Sequence, residues 1–205
     1  MILDRYIAKQ LRNPSGIGGW LSSFIMNRQN LPLYDETLKQ LAVSDFDSIL
    51  DIGCGNGYML SILAKEYDCK LIGIDISSSI LKAAAHRNRS FISTGRMELK
   101  CQNISNMSFP DNSFSKVYTI NTIYFWDNLT EAMKEINRIL KPDGLFINTL
   151  FSNETLSKLS HTRFGYKRYS INQLTSIGVD TGFSTNVVPI LNGLAYTLCM
   201  RNLNT

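Results

Sequence analysis

Ile49-Leu50-Asp51-Ile52-Gly53-Cys54-Gly55-Asn56-Gly57-Tyr58 decides how the rest of this 205-residue chain is read. Its first part, within Ser48–Ile52, is the short apolar run expected of a parallel strand buried on both faces. Three glycines follow at alternate positions, and then an amphipathic stretch over 58–67. A strand, a bare turn and a helix, in that order, leave main-chain N–H groups open where the helix begins. A ligand can press against that backbone. Asp51, at the strand's end, can accept a hydrogen bond from an ammonium group.

Working outward, Lys70–Asp75 (KLIGID) reads as the second strand. Asp75 closes it 18 residues past the last glycine (75 − 57 = 18). An acidic residue there commonly accepts from both hydroxyls of a ribose. Dinucleotide dehydrogenases share this logic, but their fingerprint is GxGxxG or GxGxxA. Here the third glycine comes one residue early, and Tyr58 occupies the dehydrogenase position. A bulky side chain there obstructs close helix–strand packing, which favours a different nucleoside ligand. No Gly-Lys-Ser/Thr follows, so a phosphate loop of the Walker type is absent.

Strand and helix continue to alternate. Ser77 or Ser78 opens a helix running to about Ser93, with Gly95 as its stop. A third strand covers 96–101, and a turn at Pro110-Asp111-Asn112-Ser113 leads to a fourth over 114–121. Residues 129–140 are helical, with Leu129, Met133, Ile136 and Leu140 on one face. Lys141-Pro142-Asp143-Gly144 breaks that helix, and 145–150 is a fifth strand. Near the end, 171–182 reads as a helix capped by Ser170, with Gln173 at the capping-box spacing. Two β-rich runs, 185–190 and 194–200, flank Asn192-Gly193, a strong hairpin signal. The expected fold is therefore α/β. It is a Rossmann-like, seven-stranded, mostly parallel sheet with a C-terminal antiparallel hairpin strand and helices on both faces.

The N-terminal residues differ. Helical pieces over 3–11 and 19–28 are joined by Asn13-Pro14-Ser15-Gly16, and a third helix spans 34–41. Residues 1–43 are expected to form a helical lid hinged at Gly16, Gly18 and Gly19, bringing Tyr6, Trp20 and Met26 to a ligand. Residues 44–205 form the main domain.

Composition narrows the function classes. A hydrophobic fraction of 44% with 19% charged residues suits a globular protein. Cys54, Cys69, Cys101 and Cys199 form no CxxC pair and lie at no metal-ligand spacing from His86 or His161, so reduced thiols and no metal are expected. The net charge of +4 does not argue for nucleic acid. No apolar run approaches the roughly 18 residues of a membrane span. Asp4, Arg5 and Lys9 interrupt any secretory h-region, so a cytoplasmic location is expected.

Further motifs follow in order: Ile72-Gly73-Ile74-Asp75-Ile76-Ser77, then Gln102-Asn103-Ile104 through Met107-Ser108-Phe109-Pro110-Asp111-Asn112-Ser113-Phe114, then Glu135-Ile136-Asn137-Arg138-Ile139-Leu140-Lys141-Pro142-Asp143-Gly144. With the glycine segment, they make residues 47–150 resemble class I S-adenosylmethionine-dependent methyltransferases. The resemblance is closer to the small-molecule enzymes similar to those of quinone biosynthesis. It implies that the loop Gly53, Cys54, Gly55, Asn56 and Gly57 passes beneath the methionine and ribose of S-adenosylmethionine. Asp51 would face the amino group and Asp75 the ribose hydroxyls. Ile76 and Ile104 would sandwich the adenine, with Ser77 and Gln102 beside them. Asn103 stands where the family usually has Asp; its amide oxygen can accept the same bond without charge. Ser115 replaces a favoured Asp, and Asp143 a favoured Gly.

Asn121, Thr122 and Tyr124 end the fourth strand and are expected at the cofactor, with Trp126 nearby. Tyr124 and His161 are the candidate catalytic residues. The basic segment 158–168, with Lys158, His161, Arg163, Lys167 and Arg168, reads as a solvated face or as a flap that recruits an anionic acceptor. The expected reaction is in-line transfer of the methyl group to a small-molecule acceptor. An RNA or protein methyltransferase and a non-enzymatic cofactor-binding protein are the alternatives. Nucleic acid is disfavoured as a partner. Asn121-Thr122-Ile123-Tyr124 lacks the Pro-Pro of base-amino methylation, and no Pro-Cys nucleophile occurs. A homodimer is an open option.

Overall fold

The computed structural model describes residues 2–12 and 28–204. Seven strands form one sheet: β1 (Ser48–Ile52), β2 (Lys70–Asp75), β3 (Met97–Cys101), β4 (Phe114–Ile120), β5 (Leu140–Phe151), β6 (Phe183–Ile190) and β7 (Ala195–Asn202). Their order is β3-β2-β1-β4-β5-β7-β6. β7 runs antiparallel to both its neighbours, and every other pair is parallel. The Rossmann-like sheet with a reversed hairpin strand is the one the sequence predicts.

The described helices are α1 (Ile2–Arg12), α2 (Leu31–Leu41), α3 (Tyr58–Glu66), α4 (Ser78–Arg87), α5 (Arg89–Ser93), α6 (Leu129–Ile139), α7 (Asn153–Lys158) and α8 (Ile171–Asp180). Ile49, Leu50 and Ile52 of β1 are all buried, because helices cover both sides of the sheet. One core joins Ile49 and Tyr118 to Leu41 of α2, Leu60 and Leu63 of α3 and Leu81 of α4. The other joins Leu50 and Val117 to Met133 and Ile136 of α6 and Leu174 of α8.

Three local features depart from expectation. The helix expected over 77–93 breaks at Asn88, whose buried Nδ2 donates to the carbonyls of Ala84 and Gly57, both at 3.0 Å. A side chain that bonds the backbone competes with helix continuation. The break expected at 141–144 lies inside β5 as a bulge: Phe114 pairs with Leu140, but Lys116 pairs with Leu145. Asp143 takes a left-handed φ of 58° there. At the hairpin, Ile190 pairs with Ala195, so the loop holds four residues, 191–194, rather than Asn192-Gly193 alone.

α2 is part of the sandwich. Leu33 and Leu41 are fully buried, and the Thr37 hydroxyl shares a 2.7 Å hydrogen bond with the Thr149 hydroxyl of β5. α1 packs instead on the 3-10 turn Ser160–Arg163. The Ser160 hydroxyl donates to Asp4, and the Arg5 guanidinium lies 5.2 Å over the Phe164 ring. The hinge glycines Gly16, Gly18 and Gly19, the helix expected over 19–28 save its last residue, and Trp20 and Met26 fall outside the described residues. Among the described residues, no helix is long and apolar enough to cross a membrane.

Candidate functional site

The chain leaving β1 is drawn across the tip of β2. The N–H groups of Gly53 and Cys54 both donate to the Ile74 carbonyl, at 2.8 and 3.0 Å. That crossing requires left-handed backbone at alternate positions: φ is 75° at Gly53, 53° at Gly55 and 68° at Gly57. Surroundings separate the three. A methyl group on Gly53 would lie 2.4 Å from Thr122 Cγ2, and one on Gly57 2.5 Å from Asn88 Nδ2. One on Gly55 would meet nothing within 4 Å.

A crevice of about 190 Å³ opens at the carboxyl ends of β1, β2 and β4, where the strand order reverses. Asp51, Gly53, Cys54, Gly55 and Asn56 line it from the β1 turn. Asp75, Ile76, Gln102, Asn103 and Ile104 line it from β2 and β3, and Asn121, Thr122 and Trp126 from the end of β4. Gly57 and Ser77 do not reach the wall. Gly57 instead lets α3 pack against Ala84 and Asn88. Ser77 caps α4 and donates its N–H to Asp75 Oδ1 at 2.9 Å.

Two carboxylates face this space. Asp51 is 4% exposed, and burial pushes its pKa up to about 8, against the 2.8 Å bond that its Oδ2 accepts from the Tyr118 hydroxyl. Asp75 is also raised by burial, although its carboxylate accepts the N–H groups of Ser77 and of Gly55, the latter at 3.0 Å. Two carboxyl groups in a poorly solvated cleft hinder each other's ionisation, and a cationic ligand relieves that cost. Ile104 is buried and Ile76 is 48% exposed, so an apolar slot stands open on one side. Asn103 Oδ1 accepts from the Ser105 N–H at 3.1 Å and retains a second lone pair.

Neither of the two candidate catalytic residues, Tyr124 and His161, lines the crevice. The Tyr124 hydroxyl is buried away from the crevice wall and lies 3.1 Å from both Asn121 Oδ1 and the Phe151 carbonyl. Burial pushes its pKa well above the ordinary phenol range. Its hydrogen bond holds it against Asn121. His161 also lies off the wall, with its ring 6.1 Å from Tyr166, and burial lowers its pKa.

In the basic segment 158–168 two lysines are engaged. Lys158 pairs with Glu154 at 2.7 Å. Lys167 Nζ donates to the carbonyls of Trp126 and Asp127 at 2.8 and 2.6 Å, which fixes the strand-end turn. Tyr6 of α1 is half exposed and off the crevice wall. The sequence reading missed Asn30, Tyr34, Tyr118 and Phe125, which line the crevice. Asn30 is held by Asn121, whose Nδ2 donates to its Oδ1 at 3.0 Å. A buried Tyr in a strand carries no sign of what it faces until the neighbouring strand is known.

The model of a family described as "Methyltransferase domain" matches residues 50–148. An uncharacterized methyltransferase, YdaC of Bacillus subtilis, is 35% identical over 125 residues, covering 60% of this chain and 67% of that protein. The mitochondrial arginine-hydroxylase NDUFAF5 of Rattus norvegicus is 31% identical over 163 residues. That match covers 78% of this chain but 43% of the relative, so the chain spans less than half of it. Among solved structures, geranyl diphosphate C-methyltransferase from Streptomyces coelicolor, bound to Mg2+, geranyl diphosphate and S-adenosyl-L-homocysteine, superposes with a TM-score of 0.71 at 13% identity. The match covers 84% of this chain and 77% of that one, and it speaks to the fold.

Proposed function

From the premise that this chain belongs to the class I S-adenosylmethionine-dependent methyltransferases, we propose that it methylates a small-molecule acceptor by in-line displacement. The observation that carries the reading is one crevice holding the bare backbone of Gly53–Gly55 between the carboxylates of Asp51 and Asp75. These residues suit the cofactor: an open approach to main chain, one carboxyl group for an ammonium and one for a ribose diol, and an apolar slot for adenine.

When bound, S-adenosylmethionine supplies a methyl group already activated on sulfur. Asp75 holds the ribose hydroxyls, Asp51 holds the amino group, Ile76 and Ile104 enclose the adenine, and Asn103 accepts from its amino group. Asn30, Tyr34, Asn121, Phe125 and Trp126 are among the other lining residues and define the acceptor side. Their work is alignment and exclusion of water. Tyr124 is engaged and His161 is off the wall. The proposed acceptor is one whose nucleophile is soft or arrives deprotonated, because neither of those two described residues is placed to take a proton.

Asp75→Ala removes the ribose contact. We expect its dissociation constant for S-adenosylmethionine to rise about tenfold or more in calorimetry, since a charge-assisted pair of hydrogen bonds is worth about 1.5–3 kcal/mol. Unchanged affinity would remove the ribose assignment. A metabolite screen that follows release of S-adenosylhomocysteine tests the acceptor class. A protein acceptor is the second reading, favoured by the 163-residue match to the arginine-hydroxylase. Arginine-containing peptides belong in the same screen, with mass spectrometry separating a methyl gain from a hydroxyl gain.

A further inference from the structure

We infer that Tyr118 is a positioning residue for the cofactor's amino-acid end: its buried hydroxyl, 2.8 Å from Asp51 Oδ2, orients the Asp51 carboxyl group and favours the ionised form that receives the amino group. The inference rests on the reading above, in which Asp51 meets the amino group.

The geometry follows from register. Asp51 of β1 is the direct partner of Tyr118 of β4, so both side chains leave the same face of the sheet. Their oxygens are 2.8 Å apart, both residues are buried, and both line the crevice floor. Among the described residues, the titratable groups turned toward Asp51 are Asp75 of β2, Cys54 of the turn, and Tyr34 of α2, with Tyr58 of α3 behind Tyr34. All are acidic groups. The nearby cation, Arg87 of α4, lies over the Tyr58 ring and donates to the Asn56 carbonyl.

Burial and the Asp75 charge therefore favour the neutral carboxyl, and the Tyr118 bond favours the carboxylate. Tyr118 itself stays a donor throughout, because burial pushes its own pKa well up. An ammonium group entering the crevice requires the carboxylate. At neutral pH the Asp51 proton then leaves to solvent as the ammonium–carboxylate contact forms. No bond other than that O–H is broken.

The test is calorimetry of S-adenosylmethionine and S-adenosylhomocysteine from pH 6 to 9.5 on the parent protein, Tyr118→Phe and Asp51→Asn. The parent should bind more tightly as pH rises to about 8, the point at which Asp51 ionises, and then level off. Tyr118→Phe should move that rise upward by about one pH unit. Its affinity should be about tenfold lower at pH 7 and return toward the parent value at pH 9.5. Asp51→Asn should show no such rise. Titration of the cofactor's own amino group is common to all three proteins and cancels in their ratios. A Tyr118→Phe loss equal at every pH, or no loss, would overturn the positioning role. Failure of the parent to bind either compound at any pH would overturn the methyltransferase reading along with it.

Discussion

A methyl group added at Gly53, Gly55 or Gly57 meets three different environments, so the three positions should fail differently. Gly57→Ala drives Cβ into Asn88 and Ala84, neither of which lines the crevice. It should cost about 1–3 kcal/mol of stability in denaturant melts. Gly55→Ala has open space but an unfavourable φ. It should cost about 1 kcal/mol in stability and lose proportionally more cofactor affinity, because it covers the exposed backbone. If Gly57→Ala left stability unchanged while abolishing binding, the packing role would be wrong. The alternate spacing that demands left-handed backbone is visible in the sequence. Which glycine faces ligand and which faces a helix is not, because Asn88 reaches Gly57 from 31 residues away.

At the scale of elements, Asp47 is the joint among the loop before β1, the start of β1 and the start of β4. Its carboxylate accepts the Ser44 N–H at 2.8 Å, the Ser115 hydroxyl at 2.7 Å and Lys116 Nζ at 2.6 Å. Burial pushes its pKa up, but these partners outweigh burial and hold it below the usual carboxylate range. A depressed pKa in the folded state gives stability that is present above about pH 4 and lost as pH falls through the folded value. Lys116→Met should therefore cost about 2 kcal/mol at pH 7, with the gap to the parent narrowing at the acid end of a pH series of melts. The same joint explains Ser115. The Asp favoured by the family there would set a second carboxylate against Asp47. Ser115→Asp should destabilise by about 1–2 kcal/mol, a change read in the same melts.

For the whole molecule, the crevice carboxylates set function against stability. The folded protein holds the Asp51 proton up to about pH 8, whereas an unfolded chain releases it near pH 4. Between those values the folded state binds more protons, so stability falls as pH rises. Asp51→Asn should raise the melting temperature of the ligand-free protein at pH 9, by a stability gain of about 1–3 kcal/mol, and weaken cofactor binding. Equal melting of the two proteins across pH 5 to 9 would refute this. A ligand at about 100 times its dissociation constant adds about 2.7 kcal/mol. That corresponds to roughly 5–10 °C for a domain of this size, and the Asp51→Asn protein should show much less of it.

What the sequence determined by itself is what neighbours along the chain can specify: a buried apolar strand, a turn only glycine tolerates, an acidic residue at the next strand's tip, and a reversed final strand. What the tertiary structure decided is which distant residues meet. Tyr118 reaches Asp51 across 67 residues because β4 pairs with β1. Asn30 and Tyr34 join the crevice because α2 packs on the sheet. Lys167 turns inward to carbonyls 40 and 41 residues earlier, and Tyr124 is consumed as a brace. Charge and hydroxyl chemistry in a side chain take their role from what desolvates and bonds them, and strand order sets those surroundings rather than local sequence.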